Sequence, residues 1–239
     1  MLRYALFDIE TRVDWELIEQ AEGVSRERYL EELQERDPKN PRPFVPHVYH
    51  LPIAIALGFV DDLGNLGKVG SLLANEVGEG RNAEALARAF WEWLTRFQGD
   101  DRIDRGVIVS FNGRGFDLPV LELAALRYGI PIARHLGEKY GNRYRFQTDW
   151  HLDLLDYLTA YGASPRPAGG LSTLSVMCGL PPKDTDGSEV QALYDQGQLA
   201  KIDAYSRNDV RRTYVLFARL QYMRAHSPML PKLPKLEAE

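Results

Sequence analysis

Apolar positions recur at two spacings along this chain. Tyr4 to Ile9 and Leu51 to Val60 are nearly continuous apolar runs, and Gly106 to Phe111 (GVIVSF) is short and β-branched; such runs predict buried strands. Asp61-Asp62-Leu63-Gly64-Asn65 carries hairpin-turn chemistry, so Gly67 to Leu73 is the expected returning strand. Helical spacing takes over elsewhere. Leu86, Phe90, Trp93, Leu94 and Phe97 share one face of a helix that Asn82 can cap. Leu118 to Tyr128, Leu171 to Cys178 and Ser188 to Tyr194 are shorter helical segments, the last opened by a Ser188-x-x-Gln191 capping box. Leu199 to Arg224 is the longest helical pattern, and Thr148 to Leu155 fits strand or helix equally.

Leu17, Ile18, Leu30 and Leu33 are spaced for a helix across the acid-rich stretch Asp14 to Arg36, and four prolines make Asp37 to Pro46 a loop. Residues 14–46 together predict a solvated helical and loop insertion. The Pro-rich tail, 226–239, predicts a frayed end. Neither a repeat nor a dividing linker interrupts 1–225, which predicts a single domain. A strand meander followed by alternating strands and helices predicts an α/β fold, a mixed sheet with helices on its faces.

Composition narrows the class of protein. The 239 residues are 44% hydrophobic and 26% charged, the balance of a globular chain. A chain this long buries roughly 70–75% of its unfolded surface without staples. A lone cysteine, Cys178, excludes an internal disulfide and a cysteine-based zinc cluster. With 29 bases against 34 acids, the net charge of −5 leaves no global basic footprint, so a nucleic acid would bind locally or through metal ions. Asp8 and Glu10 interrupt the N-terminal apolar run too early for a signal peptide, and no stretch approaches ~20 apolar residues. The expected location is cytoplasmic, with no membrane partner.

Three acidic clusters carry candidate chemistry. Asp8 and Glu10 stand two apart on the first strand, so both carboxylates leave one face. They form either a solvated strand end or, since oxygen ligands select hard ions, part of a Mg²⁺ or Mn²⁺ site. Ser110-Phe111-Asn112-Gly113-Arg114-Gly115-Phe116-Asp117 follows the GVIV strand and precedes a helix. Asp117 there is either a helix N-cap or a carboxylate facing Asp8. Tyr205 and Asp209, four apart, share a helical face. They are either a core tyrosine with a surface aspartate or two members of a site.

Taken in order, Asp-x-Glu, Asn-x-x-x-Phe-Asp and Tyr-x-x-x-Asp resemble the motifs of the DEDD 3′–5′ exonucleases. The likeness is to the tyrosine subtype, since a histidine subtype would want His where this chain has Ala204. Phe7-Asp8-Ile9-Glu10-Thr11 and Phe111-Asn112-Gly113 through Phe116-Asp117 are similar to the stand-alone predicted exonucleases related to the exonuclease domain of family-B DNA polymerases. His151-Leu152-Asp153-Leu154 and Asp186-Gly187-Ser188 support the likeness, which spans about residues 4–220.

The resemblance implies a ribonuclease H-like fold, with a five-stranded mixed sheet flanked by helices. It implies two divalent metal ions, Mg²⁺ or Mn²⁺, held by Asp8, Glu10, Asp117 and Asp209, with Tyr205 orienting the attacking water. Thr11, Asn112 and Phe116 would meet the terminal nucleotide. The implied partner is single-stranded DNA, with RNA trimming as the alternative enzyme reading and a non-catalytic nucleic-acid-binding module as the alternative outside enzymes. No obligate protein partner is implied.

The remaining polar residues divide less sharply. Arg127, Arg134, Lys139, Arg143 and Arg145, interleaved with Tyr128, Tyr140, Tyr144 and Phe146, form either a single-strand platform or a solvated loop over packed rings. His47, His50 and His151 are expected to be structural, and Cys178 buried.

Overall fold

The structure is a computed structural model that describes residues 3–40, 43–73, 83–99, 105–137, 141–184, 187–227, 229–230 and 232–238. In chain order the elements are β1 (Arg3–Val13), α1 (Trp15–Glu22), α2 (Arg26–Arg36), β2 (His50–Val60), β3 (Leu66–Leu73), α3 (Ala83–Gln98), β4 (Gly106–Ser110) and α4 (Asp117–Tyr128). Then follow α5 (Ala133–Gly137), β5 (His151–Asp153), α6 (Leu154–Leu158), α7 (Gly170–Met177), α8 (Val190–Asp195) and α9 (Leu199–Met223).

The strands form one five-stranded sheet in the order β3-β2-β1-β4-β5. β1 pairs antiparallel with β2 and parallel with β4, and β5 continues parallel to β4. This is the mixed sheet expected of a ribonuclease H-like fold.

Two apolar layers close the sheet. Ala5, Phe7, Ile9, Ile55 and Ile108 pack with Phe90, Trp91 and Leu94 of α3 and Leu118 and Leu121 of α4. On the opposite face Leu6, Ala56, Val107 and Val109 pack with Val210, Leu216 and Phe217 of α9.

Several boundaries differ from the sequence reading for local reasons. β1 runs on to Val13, because β2 pairs with it from Val60 back to His50. The stretch 14–36 is two helices: Gly23 ends α1 at φ 70°, and Ser25 caps α2 through a bond from Arg28 N–H. It carries its own small core of Ile18, Tyr29 and Leu33 against Val13 and Tyr49. Asn82 lies outside the described residues. Thr148 to Leu155 resolves into both options, a short β5 followed at once by α6. The capping box at Ser188 does not form: Glu189 is the N-cap of α8 with no side-chain bond, and the Gln191 side chain instead accepts from Val13 N–H at 2.7 Å.

The tail is not frayed where it is described. Asn208 bonds both the N–H and the C=O of Glu237, at 2.9 and 3.0 Å, while Arg207 and Arg211 reach the Glu237 carboxylate. No described helix is long and apolar enough to cross a membrane.

Candidate active site

Alternation along β1 sorts its side chains. Ala5, Phe7 and Ile9 enter the core beneath α3 and α4, and Leu6 enters the core beneath α9. Asp8 and Glu10, two and four residues beyond Leu6, leave on the α9 face. They lie in the interior of β1, not at its end. β4 pairs with β1 only as far as Leu6, so beyond that point the β1 edge opens toward the loop Ser110 to Phe116 and the start of α4. From the other side α9 delivers Tyr205 and Asp209, one turn apart. One carboxylate oxygen each from Asp8, Glu10 and Asp209 lie within 4.8 Å of one another.

Asp117 stands beside this trio and not in it. It is the first residue of α4 rather than its cap, which is Phe116. Its Oδ1 accepts from Ile9 N–H at 3.1 Å, taking the β1 edge where β4 has ended. The helix start is thereby fastened between the two carboxylates of the first motif.

Crowding and burial raise the proton affinity of Asp8, Glu10 and Asp117. Burial is the largest cause for Asp8, which is pushed well above the ordinary carboxylate range, with repulsion from Glu10, Asp209 and Asp117 adding to it. Glu10 is raised for the same reason, burial first and then Asp209. Burial pushes Asp117 up to about 7, against the backbone bonds that favour its charge. Asp8 Oδ2 is enclosed with no hydrogen-bond partner among the described residues. An oxygen-only donor set that repels itself, with an unsatisfied oxygen pointing inward, suits a hard divalent cation.

Sequence reasoning missed Lys183. Its Nζ donates to Asp209 Oδ2 at 2.5 Å and to the Tyr205 hydroxyl at 3.1 Å, and it lies 4.7 Å from the Tyr205 ring centroid. It lowers the proton affinity of both Asp8 and Glu10. A lysine within Gly179-Leu180-Pro181-Pro182-Lys183 carries no periodic signal; only the fold brings this loop to α9.

Asp153 and Arg114 were also missed as organisers of the second motif. Asp153 caps α6 and accepts from Asn112 N–H at 3.0 Å and Arg114 N–H at 2.9 Å. Arg114 bonds the backbone of Asn142 and Gln147 and pairs with Asp156. Asn112 sits in the left-handed region at φ 67°, and a Cβ on Gly115 would come within 2.5 Å of its Oδ1, so a side chain there would displace the Asn112 amide.

Of the expected nucleotide contacts, Thr11 follows Glu10 and its Oγ1 bonds His50 Nδ1 at 2.8 Å, while Phe116 precedes Asp117. His151 is fully buried and bonded to Ser110, and Cys178 is buried. In the basic stretch 127–145 three described arginines pair with carboxylates while their side chains stay 42–57% exposed. Arg127 pairs with Asp14, Arg143 with Glu122 and Arg145 with Asp156; Arg134 lies over Trp150, and Lys139 and Tyr140 fall outside the described residues.

The sequence matches, over residues 42–229, the family described as predicted 3′–5′ exonucleases related to the exonuclease domain of PolB. The chain belongs to that family. It is a 3′–5′ exonuclease of the DEDD type. Asp8 and Glu10 precede the matched residues; the remaining motif positions fall inside them. The fold is similar to that of the family B DNA polymerase from the hyperthermophilic archaeon Pyrobaculum calidifontis, with a TM-score of 0.57 and 19% identity over 93% of this chain. The exonuclease spans 25% of the length of that polymerase. E. coli exonuclease I in complex with a 5cy-dA13 oligonucleotide is more distant, with a TM-score of 0.44 and 14% identity, covering 94% of this chain and 42% of that one. No match is found among curated proteins.

Proposed function

We propose that this exonuclease is of the tyrosine subtype and acts on single-stranded DNA. In this reading it starts at a free 3′-hydroxyl, uses two divalent ions (Mg²⁺ or Mn²⁺) and releases nucleoside 5′-monophosphates. The observation that carries the proposal is the convergence of Asp8, Glu10 and Asp209 within 4.8 Å at an open strand edge. Enclosure supports an unpaired end: Glu10, Asp209 and Asp117 are each less than a tenth exposed, which favours a single strand over a duplex end. One exonuclease unit over 1–225 carries the site.

Asp8, Glu10 and Asp209 would hold the ions, with Asp117 beside them as a fourth carboxylate. Bound there, divalent ions supply charge neutralisation at the phosphate and activation of the attacking water. The chain's own residues do the rest. Tyr205 directs its hydroxyl at the water; tyrosine ordinarily titrates near 10, so its task is orientation and not proton removal. Lys183 fixes that hydroxyl and Asp209 in one geometry, and keeps a positive charge beside the scissile phosphate. Thr11, Asn112 and Phe116 hold the terminal nucleotide.

The test is product analysis on 5′-labelled single-stranded DNA and RNA, a 3′-phosphorylated strand and a circular strand, with Mg²⁺ or Mn²⁺. The proposal expects mononucleotides from the open DNA strand, block by the 3′-phosphate, and an intact circle. Fragments from the circle would contradict it, and faster loss of RNA would move the substrate to RNA.

A further inference from the structure

Four rings meet beside the candidate active site. Phe44 and His50 lie stacked, 5.5 Å between centroids at 14°, and Phe116 stands edge-on to both, at 5.8 and 5.3 Å. His47 closes the group, 5.1 Å from Phe44 and 5.5 Å from Phe116. Two histidine bonds tie the rings to the site: His50 Nδ1 to Thr11 Oγ1 at 2.8 Å, next to Glu10, and His47 Nε2 to Gly115 O at 3.0 Å, two residues before Asp117. A third bond, His50 Nε2 to Val45 O, holds the Phe44 segment down. Yet Phe44 remains 54% exposed. A large ring held in place by its neighbours, but not covered by them, has the form of a stacking surface rather than a core residue.

We propose that Phe44 is a base-stacking residue, and that the open face of its ring takes a nucleobase of the unpaired 3′ end while His47 and His50 fix its position. The proposal rests on the single-strand reading above and names a residue of the 37–46 loop as part of the substrate site. The occupant is a base because the shelf is continuous with Thr11 and Phe116, the expected contacts of the terminal nucleotide. A flat ring also accepts any base by its π-face, so the contact gives affinity without sequence preference. His47 and His50 act through Phe44 and are positioning residues.

The experiment crosses two changes. Wild type, Phe44→Ala and Phe44→Trp are each assayed on a single-stranded DNA 12-mer with Mn²⁺, and on versions with one abasic residue at the first, second or third position from the 3′ end. Phe44→Ala should raise KM on the intact strand about tenfold with kcat changed less than about twofold, and Phe44→Trp should restore KM. At one position the abasic residue should raise KM for wild type and add nothing for Phe44→Ala. A thermal melt of Phe44→Ala equal to wild type accompanies this result. Penalties that multiply at every position, or equal KM values for wild type and Phe44→Ala, overturn the shelf. Wild type that neither binds nor degrades the intact strand overturns the single-strand reading instead, so the two failures are distinguishable.

Discussion

Neutralising Asp117 should stabilise the metal-free protein, and only at high pH. The Asp117 carboxyl is buried and its affinity for a proton is raised from an ordinary value of 3.8 to about 7. Between those values the native state keeps a proton that the unfolded chain has released. Native stability therefore falls as pH rises through the window and stays low above 7. At 1.36 kcal/mol per tenfold change in affinity, the whole effect is at most about 4 kcal/mol, and the part lying between pH 5 and pH 8 is about 3 kcal/mol. Asp117→Asn keeps an oxygen to accept from Ile9 N–H and carries no charge to bury. In urea unfolding with EDTA, the stability of Asp117→Asn relative to wild type should grow by about 3 kcal/mol from pH 5 to pH 8. Asp8 and Glu10 titrate in both proteins, and losing the Asp117 charge also relieves part of the repulsion on them, which acts in the same direction. A difference that does not change with pH, or that moves the other way, would refute the electrostatic account of the site.

Three further outcomes follow from the same geometry. Lys183→Met removes the cation that bonds Asp209 and Tyr205 and leaves a buried carboxylate without its partner; in EDTA it should cost up to about 3 kcal/mol, as urea titrations will show. Tyr205→Phe keeps the ring and loses one positioned hydroxyl, so the single-turnover rate should fall at most about 10²–10³-fold, whereas Asp209→Ala should lose more; the reverse order would undo the division of roles. Deleting residues 229–239 removes the bonds from Asn208, Arg207 and Arg211 to Glu237, and should cost roughly 2 kcal/mol, read as a fall in melting temperature, while an unchanged melt would return the tail to the frayed state its prolines suggest.

Much of the sheet was legible because buried strands leave apolar runs, and β1, β2 and β4 each have one. The carboxylates were legible because period-two and period-four spacings put Asp8 with Glu10 and Tyr205 with Asp209. What the chain hid is long-range. Lys183 reaches the site from a proline-flanked loop with no pattern of its own. Asp153 looks like one more acid in His151-Leu152-Asp153-Leu154, yet it ties down the backbone of Asn112 and Arg114. The prolines of the tail signal disorder, and nothing local shows that Glu237 has an asparagine and two arginines waiting on α9. His47 and His50 read as structural, and by their bonds they are; the ring they hold is what local pattern could not place.

The central claim is that Asp8, Glu10 and Asp209 form a metal-dependent centre that removes nucleotides from a 3′ end. Wild type and Asp8→Asn, matched for folding by circular dichroism, should be compared on a 5′-labelled single-stranded oligonucleotide with Mn²⁺, with Mg²⁺ and with EDTA. Wild type should yield a ladder of progressively shorter labelled strands with either ion and none with EDTA, and Asp8→Asn should leave the strand whole in all three. Degradation by wild type in EDTA, or a wild-type ladder from Asp8→Asn, would contradict the account.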